Sequence, residues 1–248
     1  MALTTDAVSP QIASVAAQLG KRLKIAGISN SFAPPSENAI LGRMQRQLWG
    51  KVEMEEQIAL PGGGSARYRV SAASFFQINS AMVGRLFDVL ASLPRPGNVL
   101  DLYCGAGTFS IWFALCGARV VGVEENRSAL LEAEANAKLN GVSERTRFLG
   151  GRVESVLHET EGAQALHAAD LAFLDPPRKG SDARTLDALA AAGLKSIWYL
   201  SCNPATLARD LARLRDAGYE LEDALPFDFF PQTGHVETLA RMRRRDAA

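Results

Sequence analysis

The sequence predicts a doubly wound, Rossmann-like α/β sheet preceded by a small α+β module. Two observations carry this. From residue 71 onward, short apolar runs alternate with amphipathic stretches, the pattern of parallel strands joined by helical crossovers. The first of these apolar runs also leads through Gly105-Ala106-Gly107 into a helical stretch, a glycine turn suited to close approach of a ligand. Residues 1–70 lack that rhythm, so we place the small module there and the sheet domain at 71–248.

The elements follow in order. Ile12, Val15, Ala16 and Leu19 have helical spacing, with Gly20 as the expected stop. Pro34-Pro35 breaks the chain. Residues 48–60 alternate imperfectly, suggesting strands; Pro61-Gly62-Gly63-Gly64 is a turn, and Tyr68-Arg69-Val70 resumes a strand. A helix is predicted over 80–92. Strands are expected at 98–102, 119–123, 147–149, 170–174 and 196–200, with helices at 108–115, 126–139 and 205–215. The stretches 224–229 and 236–241 supply a closing strand pair.

Composition narrows the class. Apolar residues are 47% and charged residues 22% of 248, ordinary for a globular protein. No apolar run approaches the ~20 residues of a bilayer span, and the first twenty residues do not read as a secretory signal, so a cytoplasmic location is expected. Cys104, Cys116 and Cys202 form no C-x-x-C pair and the three histidines are scattered, so no metal or iron–sulfur site is expected. Formal net charge is zero, which counts against a general nucleic-acid binder. Basic residues do cluster at Arg178-Lys179 and at Arg241, Arg243, Arg244 and Arg245, and the plain interpretation is solvated surface.

Four strand ends carry the chemistry. Asp101 precedes the glycine turn by four residues, and Ser110 replaces the third glycine of a dinucleotide fingerprint. Glu124 ends the next strand, where a carboxylate can hold both hydroxyls of a ribose. Together these favour S-adenosylmethionine over NAD. A cap role remains open for Asp101. Tyr103 and Thr108 flank the turn, while Cys104 and Cys116 are taken as packing. Asp175-Pro176-Pro177-Arg178-Lys179-Gly180 follows the fourth strand, where the prolines stiffen the backbone. Ser201-Cys202-Asn203-Pro204 follows the fifth, with Asn203 as N-cap, so the helix N-terminus is expected to favour a Cys202 thiolate. Glu237 is a candidate general base, although taken alone it reads as a surface carboxylate.

Five ordered motifs coincide: Ser74-Phe75-Phe76-Gln77-Ile78-Asn79, Asp101-Leu102-Tyr103-Cys104-Gly105-Ala106-Gly107, Asp175-Pro176-Pro177-Arg178-Lys179-Gly180, Ser201-Cys202-Asn203-Pro204 and His235-Val236-Glu237. Together they resemble the RNA uracil-5-methyltransferase family over residues 27–243, with 38–42 and 48–50 similar to that family's central module. The resemblance implies a class I methyltransferase domain, S-adenosylmethionine as cofactor, and transfer of methyl to carbon 5 of a uridine in rRNA or tRNA. It implies cofactor contacts at Gln77, Tyr103, Glu124 and Asp175. Thr108 stands where some members carry Asn. It implies Cys202 as nucleophile at carbon 6 and Glu237 as the group that removes the carbon 5 proton. Phe75, Phe76, Phe229 or Phe230 could stack on a base turned out of its helix, although each could equally be core. The family's usual N-terminal oligonucleotide-binding barrel and iron–sulfur cysteines have no counterpart here. RNA is the expected partner, with no membrane and no metal, and no protein partner is indicated. Two other classes compete, with a small-molecule methyltransferase as a weaker third. An amino-methyltransferase shares the Pro-Pro motif but usually follows it with an aromatic residue, and a non-catalytic RNA binder could keep the fold.

Overall fold

The computed structural model describes residues 2–5, 11–32, 44–71 and 79–245. Gln77, Phe75, Phe76 and the 38–42 stretch lie outside the described residues. The chain divides into two compact units, Met1–Glu56 with Tyr68–Phe75, and Gln57–Arg67 with Phe76–Ala248.

In the first unit, β1 (Ala2–Thr5), β2 (Gly27–Phe32) and β3 (Met44–Gly50) form a three-stranded sheet. β1 runs parallel to β2 and β3 antiparallel to it. Helix α1 (Ile12–Leu23) continues through Gly20 and stops at Lys24, whose left-handed conformation (φ 53°) closes the last turn. Gly20 is therefore not the stop expected from sequence. A Cβ at Gly20 would lie 2.3 Å from the Trp49 ring, so the glycine is there to let the helix approach β3. β4 (Glu53–Ala59) and β5 (Ser65–Ser71) pair around the 61–64 turn. The turn end of this ribbon groups with the second unit because Asn140 clasps Arg67, accepting its backbone N–H (2.9 Å) and donating to its carbonyl (2.6 Å).

The second unit continues with α2 (Ser80–Ala91), β6 (Asn98–Leu102), α3 (Thr108–Leu115), β7 (Arg119–Glu124), α4 (Arg127–Leu139), β8 (Thr146–Gly150), α5 (Val153–Val156), α6 (Thr160–Ala168), β9 (Leu171–Leu174), α7 (Ala183–Ala191), β10 (Ser196–Ser201), α8 (Pro204–Asp216), β11 (Tyr219–Phe227) and β12 (Glu237–Arg244). Its seven strands lie in the order β11-β12-β10-β9-β6-β7-β8. β6 to β10 are mutually parallel and β12 is antiparallel to both β10 and β11. This is the doubly wound sheet expected from the sequence, closed by an antiparallel pair. The winding starts at β6, moves outward to β8 and returns at β9. That reversal opens a crevice beyond the carboxyl ends of β6 and β9, where such sheets bind ligands.

Apolar side chains fill both faces. On one, Phe87, Phe109, Trp112, Phe113, Phe173 and Trp198 pack ring on ring, with Phe87 stacked on Trp112 at 5.3 Å. On the other, Leu100, Leu102, Leu174, Tyr199, Leu186, Leu189 and Leu214 are buried. Helix α3 is buried on all sides except at Leu115, which matches its largely apolar sequence. Cys116 caps that helix and is half-buried rather than in the core expected for it. Among the described residues no helix is long and apolar enough to cross a membrane.

Candidate active site

Tyr103, Glu124, Asp175 and Cys202 collect at the carboxyl edge of the sheet because each follows or ends a parallel strand, and Glu237 opens the antiparallel strand β12 at the same edge. After β6 the backbone turns sharply: Tyr103, Gly105 and Gly107 all have positive φ (65°, 55° and 84°). The Gly107 amide bonds the Cys104 carbonyl at 2.9 Å, and Gly107 then caps α3. A Cβ on Gly107 would come within 3.1 Å of Ala133, so the close packing of α3 on α4 also requires glycine. Thr108 is the buried first residue of α3. Cys104 is buried beside Gly122, and burial pushes its thiol up; it is a packing residue, as expected.

Glu124 ends β7 and reaches across this turn. Its Oε2 accepts the Gly105 amide at 2.9 Å and its Oε1 accepts the Asn126 amide at 2.7 Å. Two backbone donors leave a carboxylate with free acceptor positions. Burial moves Glu124 above the ordinary carboxylate range, and the two amides oppose that shift. Asp175 follows β9, and its amide bonds the Leu102 carbonyl at 3.3 Å, which seats it beside the glycine turn.

Cys202 and Glu237 meet through strand register. The β10–β12 ladder ends at Ser201 opposite Thr238, so the next antiparallel step sets Cys202 against Glu237. Glu237 is 4% exposed, and its Oε2 is without a hydrogen-bond partner. Burial raises its carboxyl to about 7, against the pull of the Arg178 guanidinium. It is therefore not the surface carboxylate that its sequence position also allowed. Cys202 is half-buried. Its thiol is raised by burial first, then by the Glu237 and Asp175 carboxylates, with Arg178 pulling the other way. This corrects the expectation of a favoured thiolate. Asn203 caps α8 by accepting the Ala205 amide at 3.0 Å, but the residue ahead of it is partly desolvated and faces two carboxylates, and its thiol is raised.

The arrangement offers a glycine turn with an adjacent carboxylate for a nucleoside, and a thiol opposite a poised carboxyl. The model described as tRNA (Uracil-5-)-methyltransferase matches residues 39–245. The chain belongs to this family. The tRNA (uracil-5-)-methyltransferase resemblance extends to curated relatives. An RNA methyltransferase of Clostridium acetobutylicum, named as uncharacterized, is 37% identical over 90% of this chain and 47% of its own length. One of Gloeobacter violaceus, likewise uncharacterized, is 39% identical over 84% of this chain and 43% of its own. The chain thus spans about half the length of the curated relatives it matches. Among solved structures, Pyrococcus abyssi tRNA (uracil-54, C5)-methyltransferase in complex with S-adenosyl-L-homocysteine has a TM-score of 0.71 at 30% identity, covering 88% of this chain and 50% of that one. The M. jannaschii tRNA m1G37 methyltransferase shares the fold, with a TM-score of 0.60 at 14% identity over 98% of this chain and 70% of its own.

In the basic run near the end, Arg241 and Arg243 are paired with carboxylates. Arg241 bonds Asp223 at 2.8 Å and Arg243 pairs with Glu220 at 2.7 Å and Glu222 at 3.1 Å, all on the β11–β12 ribbon. Arg178, exposed, is the basic residue that acts on Cys202. Phe229 is buried core, while Phe230 is partly exposed and meets the His235 ring edge-on at 6.1 Å.

The burial of two carboxylates, Asp101 and Asp210, was not legible in the sequence. Asp101 is no cap: it is fully buried, accepts the Ser110 hydroxyl, and leaves Oδ1 without a partner. Burial raises its carboxyl to about 7. Ser110 at the third-glycine position was the available signal. The other carboxylate is Asp210, 2% exposed on α8, where the sequence shows only one charge among several.

Proposed function

We propose that this chain transfers a methyl group from S-adenosylmethionine to carbon 5 of a uridine in RNA, through a Cys202 adduct at carbon 6. The observation that carries this is the placement of Cys202 opposite Glu237 at the end of the β10–β12 ladder, with Asp175 close enough to act on the same thiol. Family membership supports the reaction class, and the tRNA named for the Pyrococcus abyssi relative supports tRNA, with rRNA as the other candidate.

The donor set suits the cofactor. Glu124 would hold its ribose hydroxyls, the 105–107 backbone would lie against it, and Tyr103, Thr108, Asp175 and Gln77 would complete the pocket. The bound cofactor supplies an electrophilic methyl group. The chain's own residues do the rest. Carbon 5 of uracil is a poor nucleophile, and addition of the Cys202 thiolate to carbon 6 turns the ring into an enolate that attacks through carbon 5. Arg178 favours the thiolate and can offset the charge on the ring. Glu237, ionised above about pH 7, then accepts the carbon 5 proton, the ring electrons reform the 5,6 double bond and sulfur leaves. The base must be out of its stack to meet both groups. The compact division suggests a catalytic unit around the seven-stranded sheet and a smaller module ahead of it, with the 1–70 boundary as the first approximation.

The test is to incubate the protein with S-adenosylmethionine labelled on the methyl group and unmodified RNA, then digest and identify the labelled nucleoside. Label in 5-methyluridine, lost in Cys202→Ala, is expected. Label in another nucleoside, or transfer unchanged in Cys202→Ala, overturns the mechanism.

A further inference from the structure

Helix α8 does more than carry Cys202 at its head. Its first turns grip the loop after Asp175 at successive points. Asn203 Nδ2 donates to the Arg178 carbonyl at 3.1 Å, and Thr206 Oγ1 donates to the same carbonyl at 3.2 Å. Arg209 Nη2 donates to the Lys179 carbonyl at 3.0 Å. Asp210 Oδ2 accepts the Ser181 amide at 2.9 Å and the Tyr199 hydroxyl at 2.6 Å, while its Oδ1 accepts Arg209 Nε at 2.8 Å. Every partner of Asp210 is a donor, so both oxygens must accept, which a carboxylate can do and an amide cannot. Gly180 has φ 80°, and a Cβ there would lie 2.6 Å from Asp210 Oδ2 and 2.5 Å from Arg209 Nη2. The loop is built to lie flat on this carboxylate.

The network then crosses to the glycine turn. Ser181 Oγ and the Tyr103 hydroxyl are 2.9 Å apart. Tyr103 has φ 65°, a conformation that a non-glycine residue keeps only where its surroundings hold it. Its hydroxyl is engaged by the protein itself, not turned outward.

We propose that Asp210 is a positioning residue: through Ser181 it fixes Tyr103 and the 175–181 loop, so that the cofactor turn, Asp175 and Cys202 share one rigid frame. This rests on the cofactor assignment above and names a residue beyond it. Asp210 touches neither reactant; it acts through the Ser181 amide and the Tyr103 ring.

A double-mutant cycle tests it. Asp210→Asn, Tyr103→Phe and the double variant are purified, their folding is checked by circular dichroism and thermal midpoint, and the affinity of each for S-adenosylhomocysteine is measured by calorimetry. Each single change should weaken binding by about fivefold or more, and the double should be no more than about twofold worse than the weaker single, because both cut one network. Multiplying losses, or a folded Asp210→Asn with unchanged affinity, would overturn the proposal; a purely structural carboxylate would lower the midpoint and leave affinity alone. Should Asp210→Asn fail to fold, Tyr199→Phe, which removes one hydroxyl, takes its place in the cycle with the same expectations. Failure of the unaltered chain to bind S-adenosylhomocysteine overturns the cofactor assignment and this inference with it, whereas normal binding with independent variants overturns this inference alone.

Discussion

Replacing Glu237 by glutamine separates the electrostatics of the site from its chemistry. The carboxyl is raised from 4.5 to about 7 by burial, so the folded chain holds its proton more tightly than the unfolded chain does. Such a group contributes stability that is fully present below the unfolded pKa and is lost as pH rises through the folded one. Linkage between those two values gives a penalty for the native carboxyl of about 1 kcal/mol at pH 5 and about 3 kcal/mol at pH 8. Glutamine removes the ionisation and keeps the shape. Its own buried amide adds a cost that does not change with pH. Relative to the unaltered chain, Glu237→Gln should therefore gain about 2 kcal/mol between pH 5 and pH 8. Urea unfolding at the two pH values measures this directly. In the same variant turnover should be lost, while a methylated Cys202 adduct with RNA that cannot shed its carbon 5 proton accumulates. A stability difference that is flat with pH, or that moves the other way, would refute the picture of a desolvated carboxyl opposite Cys202.

Further outcomes follow from other residues. Arg178→Ala should move the acidic limb of the rate profile to higher pH, because Arg178 lowers both Cys202 and Glu237; a profile that stays in place would remove it from the site's electrostatics. Gly20→Ala, ordinarily stabilising inside a helix, should instead destabilise by about 1–3 kcal/mol in thermal unfolding, since its Cβ would meet Trp49 at 2.3 Å. Gly180→Ala should lower stability by at least about 1 kcal/mol and weaken S-adenosylhomocysteine binding, because the new methyl meets the Asp210 carboxylate. Arg243→Ala should change stability by less than about 1 kcal/mol and leave RNA binding unchanged in a filter assay, since its half-exposed guanidinium is already paired.

The sheet and its ligand edge were legible because topology fixes where strand ends go. Once 98–102, 119–124, 171–174 and 196–201 are strands with crossovers, their carboxyl ends must share an edge, and Tyr103, Glu124, Asp175 and Cys202 come with them. Helices α5, α6 and α7 were not read. They run to four, nine and nine residues, too short for periodicity to separate them from loop. Gly162 in α6 is there because a Cβ would sit 1.9 Å from the Val156 carbonyl oxygen. Gly20 misled for the same reason: a glycine chosen for close packing is indistinguishable in sequence from one chosen for a stop. The state of the Cys202 thiol was misjudged because a helix terminus is local, whereas the carboxylates that oppose it arrive from β9 and β12. Asp210 was invisible for that reason too. Beside Arg209 on an amphipathic helix it reads as a solvated pair, and only the docked loop makes it a buried junction.

The facing of Cys202 and Glu237 is a matter of counting. Between them lie α8, β11 and the 228–236 loop, and the spacing of the two groups depends on none of these lengths. It depends on which rung of the β10–β12 ladder each residue occupies. A residue added at Gly218 or within the 228–235 loop leaves the rungs untouched, whereas one added inside β12 turns Glu237 to the opposite face of the sheet. Length can therefore drift freely through much of the C-terminal third of the chain, while a few positions of strand act as a vernier that must not slip by a single notch.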